Sequence, residues 1–395
     1  MSSLLISRSA DLARLREEGF NLDARDGVLL VHDVPYVSSR KEVRRGTFVT
    51  KLTLAGDRTG KPEDHVAYFK GHHPCDAEGR EIEKIKNASA PLQLTEGVVV
   101  DHTFSAKPKP AGNYEDYHAK VTTYVAIISG PARELDPTVS AQTFPPVVPD
   151  AEEHSAFAYI DTASTLAEIT KVSAKLACGK IAIVGLGGTG SYVLDFIAKT
   201  PVAGIHLFDG DTFYTHNAFR APGAAPLETL RGAPKKVTYY KELYSKMHLG
   251  IVAHDVYLRG ESVSALEGMD FVFLCIDGGG AKKAIIEGLE RFGIPFIDAG
   301  IGVDLTDGSL GGIVRVTTSA PPHRSHVPSR IPLADAEERN DYDRNIQIAD
   351  LNALSAVLAV IKWKKLCGFY RDLDHEFHCT YTVDGNMLVN GDQAP

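Results

Sequence analysis

The run over residues 180–220, KIAIVGLGGTGSYVLDFIAKTPVAGIHLFDGDTFYTHNAFR, constrains the fold more than any other part of the chain. Residues 181–185 read as a buried parallel strand. The chain turns on Gly185, Gly187, Gly188 and Gly190, then enters a helix in which Val193, Leu194, Ile197 and Ala198 share one apolar face. A second strand over 204–208 ends at Asp209. Strand, glycine turn, helix and strand in this order set a nucleotide phosphate over a helix N-terminus, where backbone amides lack intrahelical partners.

The sequence on the far side of this unit alternates strand and helix. Helices are expected over 235–247, 281–292 and 346–366, and strands over 251–257, 271–276, 295–298 and 311–317. That alternation specifies an α/β sheet that is mostly parallel. The last strands read as a hairpin over 377–388 around Asp384-Gly385, and Gly368 as a helix C-cap. Residues 318–344 are polar and proline-rich, a long loop of the kind that carries function.

Upstream, a polar helix is expected over 10–18. Strands follow over 28–31, 46–54, 66–69, 97–100 and 122–128, separated by turns such as Gly56-Asp57 and Gly60-Lys61-Pro62. No helical period here reaches crossover length, so residues 1–133 are expected to form a smaller, β-rich and mostly antiparallel domain. Residues 134–153 hold Pro137, Pro145, Pro146 and Pro149 and read as an extended linker. The remainder, 154–395, opens with a helix over 163–176 that leads into the glycine unit.

Composition narrows the class. With 44% hydrophobic and 24% charged residues the chain is globular. A net charge of −9 argues against nucleic acid as the main partner. Five irregularly spaced cysteines form no disulfide framework and fit a reducing compartment. No apolar run reaches the length of a membrane span and residues 1–20 do not read as a signal peptide, so a cytoplasmic location is expected.

Gly185-x-Gly187-x-x-Gly190 satisfies the dinucleotide fingerprint, and Asp209 stands where a ribose-binding acid belongs. Those residues alone leave NAD binding and a purely structural turn open. The residues beyond them shift the reading. Asn217 and Arg220 follow Asp209-Gly210-Asp211, then Lys235, then Asp277 at a strand end. An NAD site needs only neutral contacts to a pyrophosphate. A guanidinium fork, a lysine point charge and a hard oxygen ligand for Mg2+ suit ATP whose α-phosphate reacts. Asp211 reads as orienting the loop, and Asp277 also as a helix N-cap, which does not exclude metal binding.

At this point residues 171–388 resemble the ThiF/MoeB/ubiquitin-activating superfamily, on GLGGTG, DGDTFYTHNAFR, GAPKK, FLCIDGG and ALSAVLAVIKWKKLCG. The resemblance implies a Rossmann-like adenylation domain and ATP held by Gly185, Gly187, Gly188, Gly190, Asp209, Asn217, Arg220, Lys235 and Asp277, the last through Mg2+. It implies attack of a carboxylate on the α-phosphorus, giving an acyl-adenylate and pyrophosphate. Relatives with an extra N-terminal domain look like activating enzymes of bacterial ubiquitin-like conjugation systems, some of them antiphage. The N-terminal domain is then expected to recruit a ubiquitin-like protein or a conjugating enzyme, in a homodimer. The alternatives are a sulfur-carrier or peptide substrate, an inactive scaffold, and an NAD-dependent oxidoreductase.

The sequence departs from the family in three places. The two CxxC pairs of many sulfur-carrier activators are missing from 318–344, so no structural zinc is expected; His323 and His326 read as solvated loop residues. No cysteine stands in the crossover segment either. Cys178 and Cys275 read as structural, Cys367 as a helix-end residue, and Cys75 and Cys379 remain the candidates for any thioester. The family's arginine in trans has no counterpart over 151–176. Finally, His65, His72, His73 and Cys75 invite a zinc hypothesis, but their spacing matches no closed site and reads as a turn with solvated histidines.

Overall fold

The structure is a computed structural model and describes residues 2–110, 112–148, 155–167, 169–277, 279–333 and 346–393. The chain divides into two compact units, Met1–His154 with Tyr159–Leu166, and Ser155–Ala158 with Ala167–Pro395. Residues 149–153 of the expected linker, residue 154, and 334–345 of the long loop lie outside the described residues.

The first unit opens with helices α1 (Ser2–Arg8) and α2 (Ala10–Glu17). Strands β1 (Asn21–Arg25), β2 (Val28–Val37) and β3 (Val43–Lys51) follow, then a small hairpin of β4 (Leu54–Ala55) and β5 (Arg58–Thr59). Strands β6 (Val66–Lys70), β7 (Lys86–Thr95) and β8 (Val98–Ser105) complete an antiparallel sheet of order β1-β2-β3-β6-β8-β7. The β1–β2 turn is Asp26-Gly27, both at positive φ (50° and 75°), the backbone that a two-residue hairpin requires.

One expected strand is a helix. Residues 122–128 lie within α3 (Tyr117–Leu135), whose first turn is capped by Asp116 accepting from the Ala119 amide at 2.7 Å. The run Val-Thr-Thr-Tyr-Val favours a strand by propensity. However, Tyr117, Val121, Tyr124, Val125, Ile128 and Ala132 recur at helical spacing and all are buried, so burial of one helical face overrides propensity. Residues 136–148 carry no helix or strand and are mostly exposed, but they are tied to the unit at two points. Ala141 is buried in this unit's core, and the amides of Thr143 and Phe144 donate to the Gly19 carbonyl. The expected helix over 163–176 is broken into α4 (Thr162–Leu166) in the first unit, and α5 (Thr170–Ser173) and a single 3-10 turn, Ala174–Leu176, in the second. Threonine and serine are dense there and compete for backbone hydrogen bonds.

The second unit is built in chain order from β9 (Lys180–Val184), α6 (Gly188–Ile197), β10 (Gly204–Phe208), α7 (Thr215–Ala218), α8 (Leu227–Gly232), α9 (Lys236–Tyr244), β11 (Ile251–His254), β12 (Phe271–Leu274) and α10 (Gly280–Arg291). It continues through β13 (Phe296–Thr306), β14 (Ser309–Ser319), α11 (Val327–Arg330), α12 (Ala349–Leu366), β15 (Glu376–Thr382) and β16 (Met387–Gln393). The eight strands take the order β11-β10-β9-β12-β13-β14-β15-β16. From β11 to β13 every pairing is parallel; from β13 to β16 every pairing is antiparallel.

Helices cover both faces of the parallel part. Ile181 and Ile183 face a core shared with Leu194, Ile197, Ala356 and Trp363, while Ala182 and Val184 face one shared with Ile285 and Leu289. Burial on both faces is why these strands read as unbroken apolar runs. The chain leaves β9 for β10 on one side, and β12 lies on the other, so the carboxyl ends of β9, β10 and β12 surround a switch-point crevice. Strands β13 and β14 are much longer than the expected 295–298 and 311–317, because Gly300, Gly302 and Gly311 dilute their apolar pattern. Their hairpin turns on Asp307-Gly308, at φ 50° and 77°.

Candidate active site

The switch-point crevice holds a cavity of about 380 Å³. Its first wall is the glycine turn, where each glycine has a separate reason. Gly185 sits at φ +88°, and a Cβ there would lie 2.6 Å from the Cys275 carbonyl oxygen. A Cβ on Gly190 would lie 1.9 Å from the Gly185 carbonyl oxygen, so this glycine lets α6 close onto β9 rather than touch a ligand. A Cβ on Gly188 would meet the Asn352 side chain at 2.0 Å. Gly187, the N-cap of α6, has open space before it. The first amides of α6 therefore face the cavity, where an anion is favoured.

Asp209, at the end of β10, is buried. One carboxylate oxygen accepts from the Leu186 amide at 2.7 Å and the other from the Asp211 amide at 2.8 Å. It thus clamps the glycine turn to the strand beside it, and each oxygen keeps a lone pair for a ribose hydroxyl. Asp211 pairs with Lys236 at 2.6 Å and accepts from the Tyr257 hydroxyl at 2.5 Å. Partial burial pushes the Asp211 carboxyl up, but those two hydrogen bonds and the Lys236 charge outweigh it and hold the group below its ordinary value. The same bond raises the Tyr257 hydroxyl to about 12.

The two adjacent lysines are placed differently. Lys235, the expected point charge, is half-exposed; its ammonium donates to the Gly210 carbonyl at 2.7 Å and pairs with Asp255 at 3.2 Å. Lys236, at the start of α9, is buried, pairs with Asp211 and lies 3.6 Å from Asp209, and lines the cavity of the glycine turn. Both lysines border a neighbouring depression with Asn217 and Arg220. Sequence reasoning missed Lys236, whose signal is its position directly before Val237, the first core residue of α9.

Arg220 lines both spaces, and its Nε is buried without a hydrogen-bond partner. Asn217 is buried; its side-chain oxygen accepts from the Tyr214 amide at 2.8 Å and closes a capping box on α7, and its carbonyl accepts from the Arg220 amide at 3.1 Å. Asn217 therefore shapes the short helix that presents Arg220. Asp277, just past β12, borders the same cavity and a second of about 300 Å³ lined by Tyr257 and Arg259.

On the opposite wall lies a cluster that the sequence did not reveal. Asp298 of β13 is fully buried and carries two cations, Lys282 of α10 at 2.5 Å and Arg315 of β14 at 2.9 Å. Lys282 and Arg315 line the cavity. Burial, with the Asp298 charge second, pushes the nearby Cys275 thiol up to about 12. Asn352 of α12 was missed too; it is buried and accepts from the Thr189 hydroxyl at 3.0 Å, fixing the start of α6.

The remaining candidates lie elsewhere. In the first unit His72, His73 and Cys75 border a depression of about 560 Å³ with Glu81, Asp101 and His102, while His65 stands apart on Ser105 at 3.0 Å. His73 and Cys75 are buried rather than solvated, because the turn folds back along Val37 and sets His73 edge-on against His102 and Phe104. Burial, then the charges of Glu81 and Asp76, raises the Cys75 thiol; burial raises Cys379, paired within the β14–β15 ladder, to about 11. The thiols of Cys178 and Cys367 hydrogen-bond one another. His323 and His326 are half-buried against Phe377 rather than solvated, and His326 hydrogen-bonds the Thr318 carbonyl at 2.8 Å. Among the described residues no three His, Cys, Asp or Glu side chains are arranged to hold a metal ion, and no helix is long and apolar enough to cross a membrane.

A cavity with helix amides, a guanidinium and a buried lysine on one side can hold and polarise a phosphate chain. Comparisons with known proteins place the chain in a family. Residues 10–162 match a domain of unknown function, DUF6791. Residues 163–366, just over half of the chain, match the ThiF family, and the chain belongs to that family. Curated relatives include ubiquitin-like modifier-activating enzyme 5 of Aedes aegypti, 22% identical over 207 residues covering 50% of each chain, and that of Oryza sativa subsp. japonica, 25% identical over 193 residues covering 45% of each. The chain spans about half the length of the curated relatives it matches. Similar solved structures include PaaA (TM-score 0.44, 17% identity, 56% of this chain and 75% of that one) and Escherichia coli MccB with ATP (TM-score 0.42, 17% identity, 57% and 67%).

Proposed function

We propose that this ThiF-family chain adenylates the C-terminal carboxylate of a ubiquitin-like protein. The observation that carries the reading is the convergence of Arg220 and Lys236 with the α6 amides on one cavity; Arg220 holds a buried Nε in reserve there. Backbone contacts suffice for the pyrophosphate of NAD. Two cations beside a glycine turn suit a triphosphate whose α-phosphorus is attacked.

In this reading Asp209 meets the ribose and the glycine turn meets the phosphates. A substrate carboxylate oxygen bonds to the α-phosphorus as the bond to the bridging oxygen breaks. Pyrophosphate leaves with the electron pair, and no proton moves. Arg220 and Lys236 face the charge that develops, and Asn217 holds Arg220 in place. Mg2+ is usually held by one or two carboxylates plus substrate phosphates, and Asp277, which lines the cavity, would hold it there. The curated relatives' names favour a ubiquitin-like substrate over a peptide or sulfur carrier. The first unit recruits that substrate or a conjugating enzyme, the active form is a homodimer, and the pathway is a bacterial conjugation system of the antiphage kind.

Exchange of labelled pyrophosphate into ATP, dependent on a glycine-ended ubiquitin-like protein, tests the reading. Arg220→Ala lowers the exchange rate by about 10²–10³ if the guanidinium acts in the transition state. No ATP binding in calorimetry overturns the reading. NAD binding, with indifference to Lys236→Met, would favour an oxidoreductase.

A further inference from the structure

The first unit holds a site of its own, around the depression bordered by His73, Cys75, Glu81, Asp101 and His102. A turn builds it. Strand β6 ends at Lys70, and Gly71, at φ +141°, bends the chain. The Gly71 amide donates to Asp101 at 2.8 Å and its carbonyl accepts from the His102 Nε2–H at 3.1 Å. Asp101 and His102 both stand on β8, which pairs with β6, so sheet register places them beside the turn. Cys75 then bridges to Val37 and to Glu81, which brings Glu81 to the rim.

The polar atoms left over are acceptors. The His73 Nδ1 lies 3.0 Å from the Pro74 carbonyl, an acceptor, so Nδ1 carries the ring proton and Nε2 is a bare lone pair. That Nε2 is buried with no hydrogen-bond partner among the described residues, in a residue only 8% exposed. An unmatched buried acceptor costs about 1–3 kcal/mol, which a bound donor relieves. Asp101 spends one carboxylate oxygen on Gly71 and pairs with no cation among the described residues. Glu81 pairs through one oxygen with Lys86, which also serves Glu83, so this lysine is the shared partner of two carboxylates. Donors nearby are already taken. The Cys75 thiol donates to the His73 carbonyl at 3.4 Å, and the His102 Nδ1 meets the Ser89 hydroxyl at 3.0 Å. Burial, then the neighbouring His73, lowers the His102 pKa and keeps that ring neutral.

A ligand for this depression must therefore bring hydrogen-bond donors and positive charge. A primary ammonium has one compact charge, three N–H donors and no acceptor, which matches three separate acceptors. A guanidinium spreads its donors in a plane and suits a single carboxylate fork. We propose that the first unit binds a primary ammonium group, carried by a lysine side chain or a free alkylamine, with His73 Nε2, Asp101 and Glu81 as its acceptors. This goes beyond the adenylation reading and does not depend on it, because every residue involved belongs to the first unit.

The test is an NMR titration of the full-length protein, isotope-labelled at histidine Cε1, with His73→Phe identifying the His73 signal. n-Butylammonium should shift the His73 and His102 signals saturably. Tetramethylammonium has the charge but no N–H and should bind about tenfold or more weakly. Nα-acetyl-lysine methylamide should bind as well, and its Nε-acetyl derivative about tenfold or more weakly. A lysine derivative about threefold or more tighter than butylammonium names a polypeptide as the source, and equal or weaker binding names a free alkylamine. Asp101→Asn keeps an oxygen for the Gly71 amide and removes the charge; it should weaken butylammonium about tenfold, as should His73→Phe read from the His102 signal. Glu81→Gln, at an exposed side chain, gives a third variant that does not disturb the core. The proposal is overturned if butylammonium gives no saturable shift, if tetramethylammonium binds equally well, or if Asp101→Asn and Glu81→Gln both bind butylammonium as the wild type does.

Discussion

Replacing Lys235 and Lys236 separately gives the sharpest test of how the cavity is built, since neighbouring residues of one type have opposite surroundings. Lys236 is buried, 2.6 Å from Asp211 and 3.6 Å from Asp209. Lys236→Met keeps the stem and removes the charge. Asp209 retains two backbone donors and Asp211 is half-exposed, so the stability cost is discounted to about 1–2 kcal/mol. For a unit of this size that lowers Tm by about 2–8 °C, well short of unfolding at 25 °C. If Lys236 faces the charge developing on the phosphates, pyrophosphate exchange falls by about 10²–10³. Lys235→Met removes a half-exposed pair at 3.2 Å, with a cost below about 1 kcal/mol and a rate change within about threefold. Exchange at saturating ATP, with Tm recorded on the same samples, decides the matter. Equal losses, or a larger loss for Lys235→Met, would refute the assignment of Lys236 to the phosphate wall.

Gly190→Ala places a Cβ 1.9 Å from a backbone oxygen and should cost about 3 kcal/mol or more in urea unfolding, whereas Gly187→Ala, with open space, should change stability by less than about 0.5 kcal/mol. Equal effects would show that the Gly190 position is not a packing constraint. Cys379, raised to about 11 by burial, is only about 0.03% thiolate at pH 7.5, so iodoacetamide should modify it about 300-fold more slowly than a free cysteine; labelling at the denatured rate would contradict its burial. His248 is buried, hydrogen-bonds the Val202 carbonyl through Nε2 and accepts the Gly250 amide at 3.1 Å through Nδ1, and burial lowers its pKa. Below about pH 6.5 the unfolded chain takes up a proton that the folded ring refuses, so stability falls as pH drops towards 5. His248→Gln should flatten that fall in thermal melts between pH 7 and 5, and an unchanged slope would assign it to other groups.

The legible parts of this chain are those whose physics is local. The strand–glycine–helix unit was readable because backbone sterics demand glycine at φ +88° at Gly185 and at the α6–β9 contact, and those demands leave marks a few residues apart. Helix α3 was not readable, since its β-branched residues obey strand propensity while its burial obeys helical period, and only the core decides between them. Lys236 was obscured by the identical residue before it; what separates them is which one the first turn of α9 carries inward. The Lys282–Asp298–Arg315 cluster was invisible for a different reason. Its members come from one helix and two strands, and no spacing in sequence connects a lysine after one strand with an aspartate and an arginine on the next two. Sheet register connects them: Gly300 pairs with Arg315, which brings the guanidinium beside Asp298, two residues along the same face. In a fold of this kind the glycine-turn side of the cavity is therefore written in a local motif, whereas the side built by Lys282, Asp298 and Arg315 is written in long-range pairing. A family assignment rests on the first, and the second becomes visible only in the folded chain.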